Sequence, residues 1–532
     1  MGTGEKGGDA AAHTTADAGT IAVEWVERLR AVAVLGAGGK MGSGIAWVAL
    51  KAMAEQDARE NGVPGSGRFD LVLIDANAAA FKRLKDYLRS QLLKAAEKGI
   101  GDLRLWAQDR ADLIENGEII DAYVDGAMSM VRCEGDAAGA KSARLVFEAV
   151  FEDLGLKKEL YAKLKSLCAP DTYFLTNTSS IPISILDQDA GLDGRILGFH
   201  FYNPPAVQKL VEMVSGKSTR TWLVALGKEL GKAFGKIVVP ANDVAGFIGN
   251  GHFIRELLFA FGKFRELRAG EEKNVGGGTF VGPEGLRVLS GAEALLTINK
   301  ATQDFLIRPM GVFQLLDYVG LDVFQMILKV MREHLDGAAA GGAVFGDETL
   351  EALLAAGVRG GQLGSGEQKD GLFKYEKNKI VAVLDVDAVL ARRAGQGSGQ
   401  SDSAKGPGGT EGIPYVTLDD ARFQGITERL GPFPQGHGPW SAMVKDSAKQ
   451  AKLAAYLNGL ANGGAPASKT RATAGSPAGG VIGPALARAF LDHSRAVGET
   501  LVRTGVAAND DDVSKVLMNG FFHLYGPADW KG

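Results

Sequence analysis

The sequence predicts an α/β domain built on a parallel sheet, followed by all-α domains, two in tandem. Three observations carry this expectation. From Arg30 to about Val214, short apolar runs alternate with long amphipathic stretches, the pattern of parallel strands covered by helices on both faces. The first apolar run enters a glycine-rich turn that opens a helix. After Pro240 the strand-like runs give way to helical ones, and the last block, from about Gly483, faintly repeats the pattern of residues 246–320.

Residues 1–28 are polar and small, and predict a disordered tail. Residues 29–242 form the sheet domain, whose runs are AVAVLGAG, LVLIDAN, LVFEAVF, YFLTNTSS and RILGFHFYN. Residues 243–385 form a first helical domain, residues 386–482 Gly-rich linker and insertions, and residues 483–532 a second, degenerate helical domain. Of the 73 glycines among 532 residues, about twice the usual share of ~7%, many gather in the tail and near 337–343, 394–412 and 459–480.

Composition excludes several function classes. The 59 basic and 63 acidic residues leave a net charge of −4, without the single-sign field of a nucleic-acid or membrane-surface binder. Two cysteines, Cys133 and Cys168, make neither a disulfide framework nor a metal site, and fit a reducing compartment. No signal-peptide core, myristoylation pattern or apolar run of transmembrane length is present. The expectation is a cytoplasmic chain with no metal, no nucleic-acid partner and no membrane contact.

The turn GAGGKMG is where chemistry begins. Gly36 makes the tight turn, Gly38 lets the backbone approach a pyrophosphate, and Gly42 permits close helix–strand packing, while the amides at the helix start face the phosphate charge. The spacing is GxGxxxG, one residue longer than the usual fingerprint, but its strand–turn–helix context is that of a Rossmann-type dinucleotide site. LVLID ends the second strand at Asp75, 39 residues after Gly36, the extra length lying in ENGVPGSGRFD. A carboxylate there either accepts the ribose hydroxyls, favouring NAD over NADP, or caps the helix near Ala78.

His200 closes the run ILGFHFYNPP, and Glu212 follows twelve positions later in KLVEMV. A hairpin folding at Pro204 and Pro205 would bring them together as an imidazole base and its orienting carboxylate. The alternative is a histidine satisfied within a core.

The stretches GKMGSGIA, FEAVFEDLGLKKELYAKL, TNTSSIPIS, GFHFYNPPAVQKLVEMV and DVAGFIGNG, in this order, resemble the NAD-dependent 3-hydroxyacyl-CoA dehydrogenases of fatty-acid β-oxidation. The resemblance continues through RPMGVFQLLDYVGLDV and fades near 370–380. It implies NAD as cofactor, an acyl-CoA substrate, and oxidation of an L-3-hydroxyacyl-CoA to the 3-ketoacyl-CoA. By it His200 is the catalytic base and Glu212 its partner, while Ser179 bonds the substrate's 3-oxygen and Asn250 positions the substrate. Lys40, Met41 and Asn203 join Gly36, Gly38, Gly42 and Asp75 in holding the cofactor, with Glu152 and Lys157 lining its nicotinamide and ribose.

The chain departs from the family pattern at Ala245, where proline is usual, at Gly251, where arginine is usual, and at Pro205, where a small aliphatic residue is common. The bases Lys94, Lys98 and Arg104, in the excursion after Asp75, are unranked candidates for the CoA nucleotide. The helical repeat implies a monomer with an internal pseudo-dimer, or a homodimer. A same-fold dehydrogenase of a free hydroxy acid and a non-catalytic scaffold are the competing readings. CoA-dependent activity separates the first, and joint retention of Ser179, His200, Glu212 and Asn250 argues against the second.

Overall fold

The computed structural model describes residues 18–269, 288–335, 337–363, 366–395, 412–431, 437–462 and 482–532. The chain folds as two compact units. The first comprises Met1–Asn177, Leu186–Val207 and Ser215–Val238, and the second Thr178–Ile185, Gln208–Val214 and Val239–Gly532.

In the first unit, strands β1 (Ala31–Leu35), β2 (Asp70–Ile74), β3 (Val131–Glu134), β4 (Leu145–Glu148), β5 (Tyr173–Thr176) and β6 (Ile196–Phe201) lie in the order β3-β2-β1-β4-β5-β6. All five pairings are parallel. The order reverses between β1 and β4, and in open sheets of this kind ligands bind beyond the carboxyl ends of the strands at that reversal. Every residue of β4, β5 and β6 is buried, which is why these segments read as continuous apolar runs. The edge strand β3, VRCE, has no fully buried residue and so carries no apolar signal; the sequence reading contains the other five strands and misses this one.

One expectation about the first unit is corrected. Residues 1–17 of the expected tail lie outside the described residues, but Ala18–Leu29 is a helix. Arg28 anchors it: the guanidinium donates to the carbonyl of Asp171 at 2.6 Å and stands 5.1 Å from the ring centroid of Tyr173 and 5.6 Å from that of Trp222. The long β1–β2 connection is ordered by a buried carboxylate. Asp57, in helix Lys40–Asn61, accepts the amides of Gly65 and Ser66 at 2.8 and 2.9 Å and the hydroxyl of Ser66 at 2.6 Å.

The second unit is mostly helical, as predicted, with one addition. Phe373–Glu376, Lys379–Leu384 and Tyr415–Thr417 form a small antiparallel sheet. Residues 386–482 are more than linker. Val386, Val416, Ile426, Leu430, Leu453 and Leu457 join one buried cluster that runs from Phe253 to Trp530. Most of the Gly-rich stretches near 394–412 and 459–480 lies outside the described residues. The helices Gly249–Ala269 and Gly483–Arg503 pack along each other. His252 Nε2 lies 2.8 Å from Ser494 Oγ, and the Phe259 ring stacks on His493 at 4.2 Å. A Cβ on Gly251 would stand 3.0 Å from Leu501 Cδ2, so the glycine found where arginine is usual lies directly beneath the last long helix. No helix among the described residues is long and apolar enough to cross a membrane.

Candidate active site

The first unit carries the glycine turn. Gly36 has φ +73°, and its amide and that of Ala37 both donate to the Ile74 carbonyl, at 2.9 and 3.1 Å. A Cβ there would stand 2.5 Å from the Ala149 carbonyl oxygen, and one on Gly42 would stand 2.0 Å from that of Gly36. Neither position tolerates a side chain, for backbone conformation in one case and close approach in the other. The extra residue of the GxGxxxG spacing is absorbed where Gly39 caps the helix that starts at Lys40, which brings Met41 and Gly42 into the first turn. A Cβ on Gly44 would stand 2.7 Å from the Pro205 ring, so the unusual second proline packs against this helix.

Asp75 binds the turn rather than the next helix. Its Oδ2 accepts the Gly38 amide at 2.8 Å and its Oδ1 the Asn77 amide at 2.9 Å. The helix Ala80–Lys98 begins later, after Ala79, without a side-chain cap. The capping alternative is therefore set aside. A glycine turn with no room for side chains, opening a helix and closed by a carboxylate at the end of β2, matches the needs of a dinucleotide.

Beside it, at the ends of β4 and β5, lies a buried charged cluster. Lys157 is 1% exposed, and its ammonium sits 2.7 Å from Glu148 and 3.1 Å from Glu152. Glu148 is fully buried and also accepts the hydroxyls of Thr176 at 2.7 Å and Tyr161 at 3.1 Å and the Val150 amide at 2.8 Å. Burial works against the Lys157 charge, but the two carboxylates outweigh it and hold the ammonium above its usual range. Sequence reading found Glu152 and Lys157 and missed Glu148. The signal was a carboxylate closing an otherwise apolar strand, LVFE.

His200 lies in β6, 8% exposed, its ring 4.9 Å from that of Tyr202. The Phe201 amide at the end of the same strand donates to Asn177 Oδ1 at 2.8 Å. Asn203 follows, joined to Pro204 by a cis peptide.

The second unit holds Ser179, Glu212 and Asn250. Glu212 is fully buried in the strand Leu210–Ser215, and its Oε1 accepts the amides of Ile248 and Gly249, each at 3.0 Å. Asn250 donates its side-chain amide to the Ser179 carbonyl at 2.9 Å. The same two segments are joined again where the Gly246 amide donates to Ser180 O at 3.1 Å and Asp243 accepts the Ser184 amide at 2.8 Å. Gly246 has φ +84°, and Ala245, which takes the place of the usual proline, is buried. The start of helix Gly249–Ala269 thus collects three of the four residues that the sequence assigned to catalysis. His200 and the cofactor residues belong to the first unit.

The chain is similar to known proteins over two stretches. Residues 31–244 match the family described as 3-hydroxyacyl-CoA dehydrogenase, NAD binding domain, and residues 284–367 match 3-hydroxyacyl-CoA dehydrogenase, C-terminal domain. A 3-hydroxybutyryl-CoA dehydrogenase of Clostridioides difficile is 29% identical over 289 residues, 54% of this chain and 90% of that protein. The mitochondrial hydroxyacyl-coenzyme A dehydrogenase of Sus scrofa is 30% identical over 303 residues, 57% of this chain and 80% of that protein. The crystal structure of 3-hydroxybutyryl-CoA dehydrogenase from Escherichia coli covers 94% of this chain and 90% of its own, with a TM-score of 0.53 at 21% identity, a likeness of fold.

Proposed function

The chain belongs to the NAD-dependent 3-hydroxyacyl-CoA dehydrogenase family, and from that premise we propose that it oxidises an L-3-hydroxyacyl-CoA to the 3-ketoacyl-CoA, in fatty-acid β-oxidation or a related acyl-CoA pathway. The observation that carries the reading is Glu212. A carboxylate withdrawn wholly from water and held by two backbone amides is costly to keep, and it lies in a motif whose family counterpart orients the catalytic base.

In this reading Gly36, Gly38, Lys40, Met41, Gly42 and Asp75 hold the pyrophosphate and adenosine side of NAD. Glu152 and Lys157 line the nicotinamide and its ribose, and Asn203 is a further cofactor contact. Bound NAD supplies the acceptor for the hydride that leaves C3. His200 takes the proton of the 3-hydroxyl as the carbon–oxygen double bond forms, and Glu212 stabilises the resulting imidazolium. Ser179 donates a hydrogen bond to the 3-oxygen, and Asn250 positions the thioester while its side-chain amide steadies the Ser179 backbone. The chain is proposed to be monomeric, supported by the helix Gly483–Arg503 lying along Gly249–Ala269 within one chain.

The test is reduction of acetoacetyl-CoA by the full chain, followed as loss of NADH absorbance. NADH consumption that requires the CoA ester supports the proposal. Absence of consumption, or equal rates with free acetoacetate, overturns it.

A further inference from the structure

The strand that carries His200 runs past its neighbour. The pairing of β5 with β6 ends at Thr176 and Gly198, yet β6 continues to Phe201. One face of this overhang is fixed by aromatic packing. The rings of Phe199 and Phe201 lie 5.2 Å apart, Phe147 stands 6.4 Å from each, and Phe234 stacks on Phe201 at 6.4 Å. His200 lies between the two phenylalanines, so the alternation of a strand turns its side chain to the opposite face. The rings fix where the strand lies, and the peptide that follows His200 decides how the imidazole is aimed.

Asn177, the residue after β5, takes over where the ladder stops. Its Oδ1 accepts the Phe201 amide at 2.8 Å. That N–H belongs to the peptide plane joining His200 to Phe201, so the bond fixes ψ of His200 and the direction of its Cα–Cβ bond. Asn177 is itself anchored, because its amide donates to the Glu148 carbonyl at 2.8 Å. The Glu148 side chain is held in turn by Lys157, Tyr161 and Thr176. A chain of hydrogen bonds runs from the charged cluster at the end of β4, through Asn177, to the backbone of His200. Phe201 is 1% exposed, so loss of Asn177 Oδ1 would deprive a buried donor of its acceptor.

The geometry points to Asn177 as a positioning residue, whose side-chain oxygen clamps the Phe201 amide and so aims the His200 imidazole. The inference rests on His200 being the base proposed above. Asn177 stands two positions before Ser179 in TNTSS, but its part differs, since it acts on the base and not on the substrate's oxygen.

The test compares Asn177→Ala and Asn177→Asp with the unaltered full chain in the reduction of acetoacetyl-CoA by NADH. Asn177→Ala should lower kcat by about tenfold to a hundredfold, the scale of misplacing a reacting group by ~1 Å, and leave KM and NADH affinity within about twofold. Asn177→Asp keeps an acceptor oxygen and should recover most of that turnover. Normal kcat in Asn177→Ala, a loss not recovered by aspartate, or a loss of NADH affinity as large as that of kcat overturns the proposal. Hydrogen exchange at the Phe201 amide is read on the unaltered chain and stands whatever N177A does to folding. Slow exchange is expected, and exchange as fast as that of a free amide overturns the clamp. An unaltered chain without turnover would overturn the proposed function and the clamp's role together, whereas full turnover in both the unaltered chain and N177A overturns the clamp alone.

Discussion

The amide of Gly38 donates to the carboxylate of Asp75 across 2.8 Å, which ties the glycine turn to the end of the second strand. Asp75 therefore does two things in the proposed site: it shapes the turn and presents a negative charge to the ribose. Asp75→Ala should weaken NAD binding by about tenfold or more, the scale of losing hydrogen bonds to a charged group, and narrow the preference for NAD over NADP. Fluorescence titration with both cofactors checks this. An unchanged preference removes Asp75 from the ribose site.

His200 is assigned the proton transfer. His200→Gln should lower kcat by about a hundredfold to ten-thousandfold, the usual contribution of a positioned acid–base group, with little change in NAD affinity. Steady-state kinetics beside cofactor titration separates the two effects. Near-normal turnover would reject the assignment.

The Lys157–Glu148 pair is buried on both sides, 1% and 0% exposed at the side chains. Removing only the cation leaves two carboxylates close together without it. Lys157→Met should cost about 3–5 kcal/mol, the range for breaking a buried pair by deleting one partner. Urea denaturation measures it. A loss within experimental error would mean that water reaches the cluster.

Asp317, in the helix Val312–Val319, fastens the small sheet to the helices of the second unit. It accepts the amides of Leu372 at 2.7 Å and Phe373 at 2.9 Å and the hydroxyl of Tyr375 at 3.0 Å. Burial pushes its pKa up to about 7, although these three donors oppose the shift. Because the folded value lies above the unfolded one, about 3.9, the folded state binds the extra proton between them. Stability from this group is therefore fully present below about pH 4 and is lost as pH rises through 7. Asp317→Asn should flatten that part of the stability–pH curve, as read by denaturation midpoints across the range. An unaltered slope would rule Asp317 out as its source.

Gly251 lies under Leu501, with 3.0 Å between its Cβ position and Leu501 Cδ2. Restoring the arginine usual in the family, by Gly251→Arg, should therefore destabilise the chain by about 1–3 kcal/mol through overpacking. Leu501→Ala, at a fully buried site, should cost about 2–5 kcal/mol. Thermal denaturation of both variants decides. A stabilising Gly251→Arg would mean that the two helices separate readily.

Much of the fold was legible in sequence wherever the cause is local. Strands β1, β2, β4, β5 and β6 read as apolar because they are buried on both faces, whereas β3, at the edge, reads as VRCE and was silent. Arg28 anchors a helix that small residues made look like tail, and its partners Asp171, Tyr173 and Trp222 lie far along the chain. Glu148 escaped because a charge at a strand end looks like the start of a loop. Only the convergence of Lys157, Tyr161 and Thr176 marks it as part of a cluster.

By itself the sequence determined the glycine positions of the turn, the carboxylate at Asp75 and the order of the motifs that hold His200, Glu212, Ser179 and Asn250. These depend on backbone conformation and side-chain chemistry, which travel with each residue. Tertiary structure alone decided that Glu212 rests on the amides of Ile248 and Gly249, that residues 386–462 contribute to one core, and that Gly251 gives room to Leu501. Those are relations between segments up to 250 positions apart, set by which surfaces bury each other, and no local pattern encodes them.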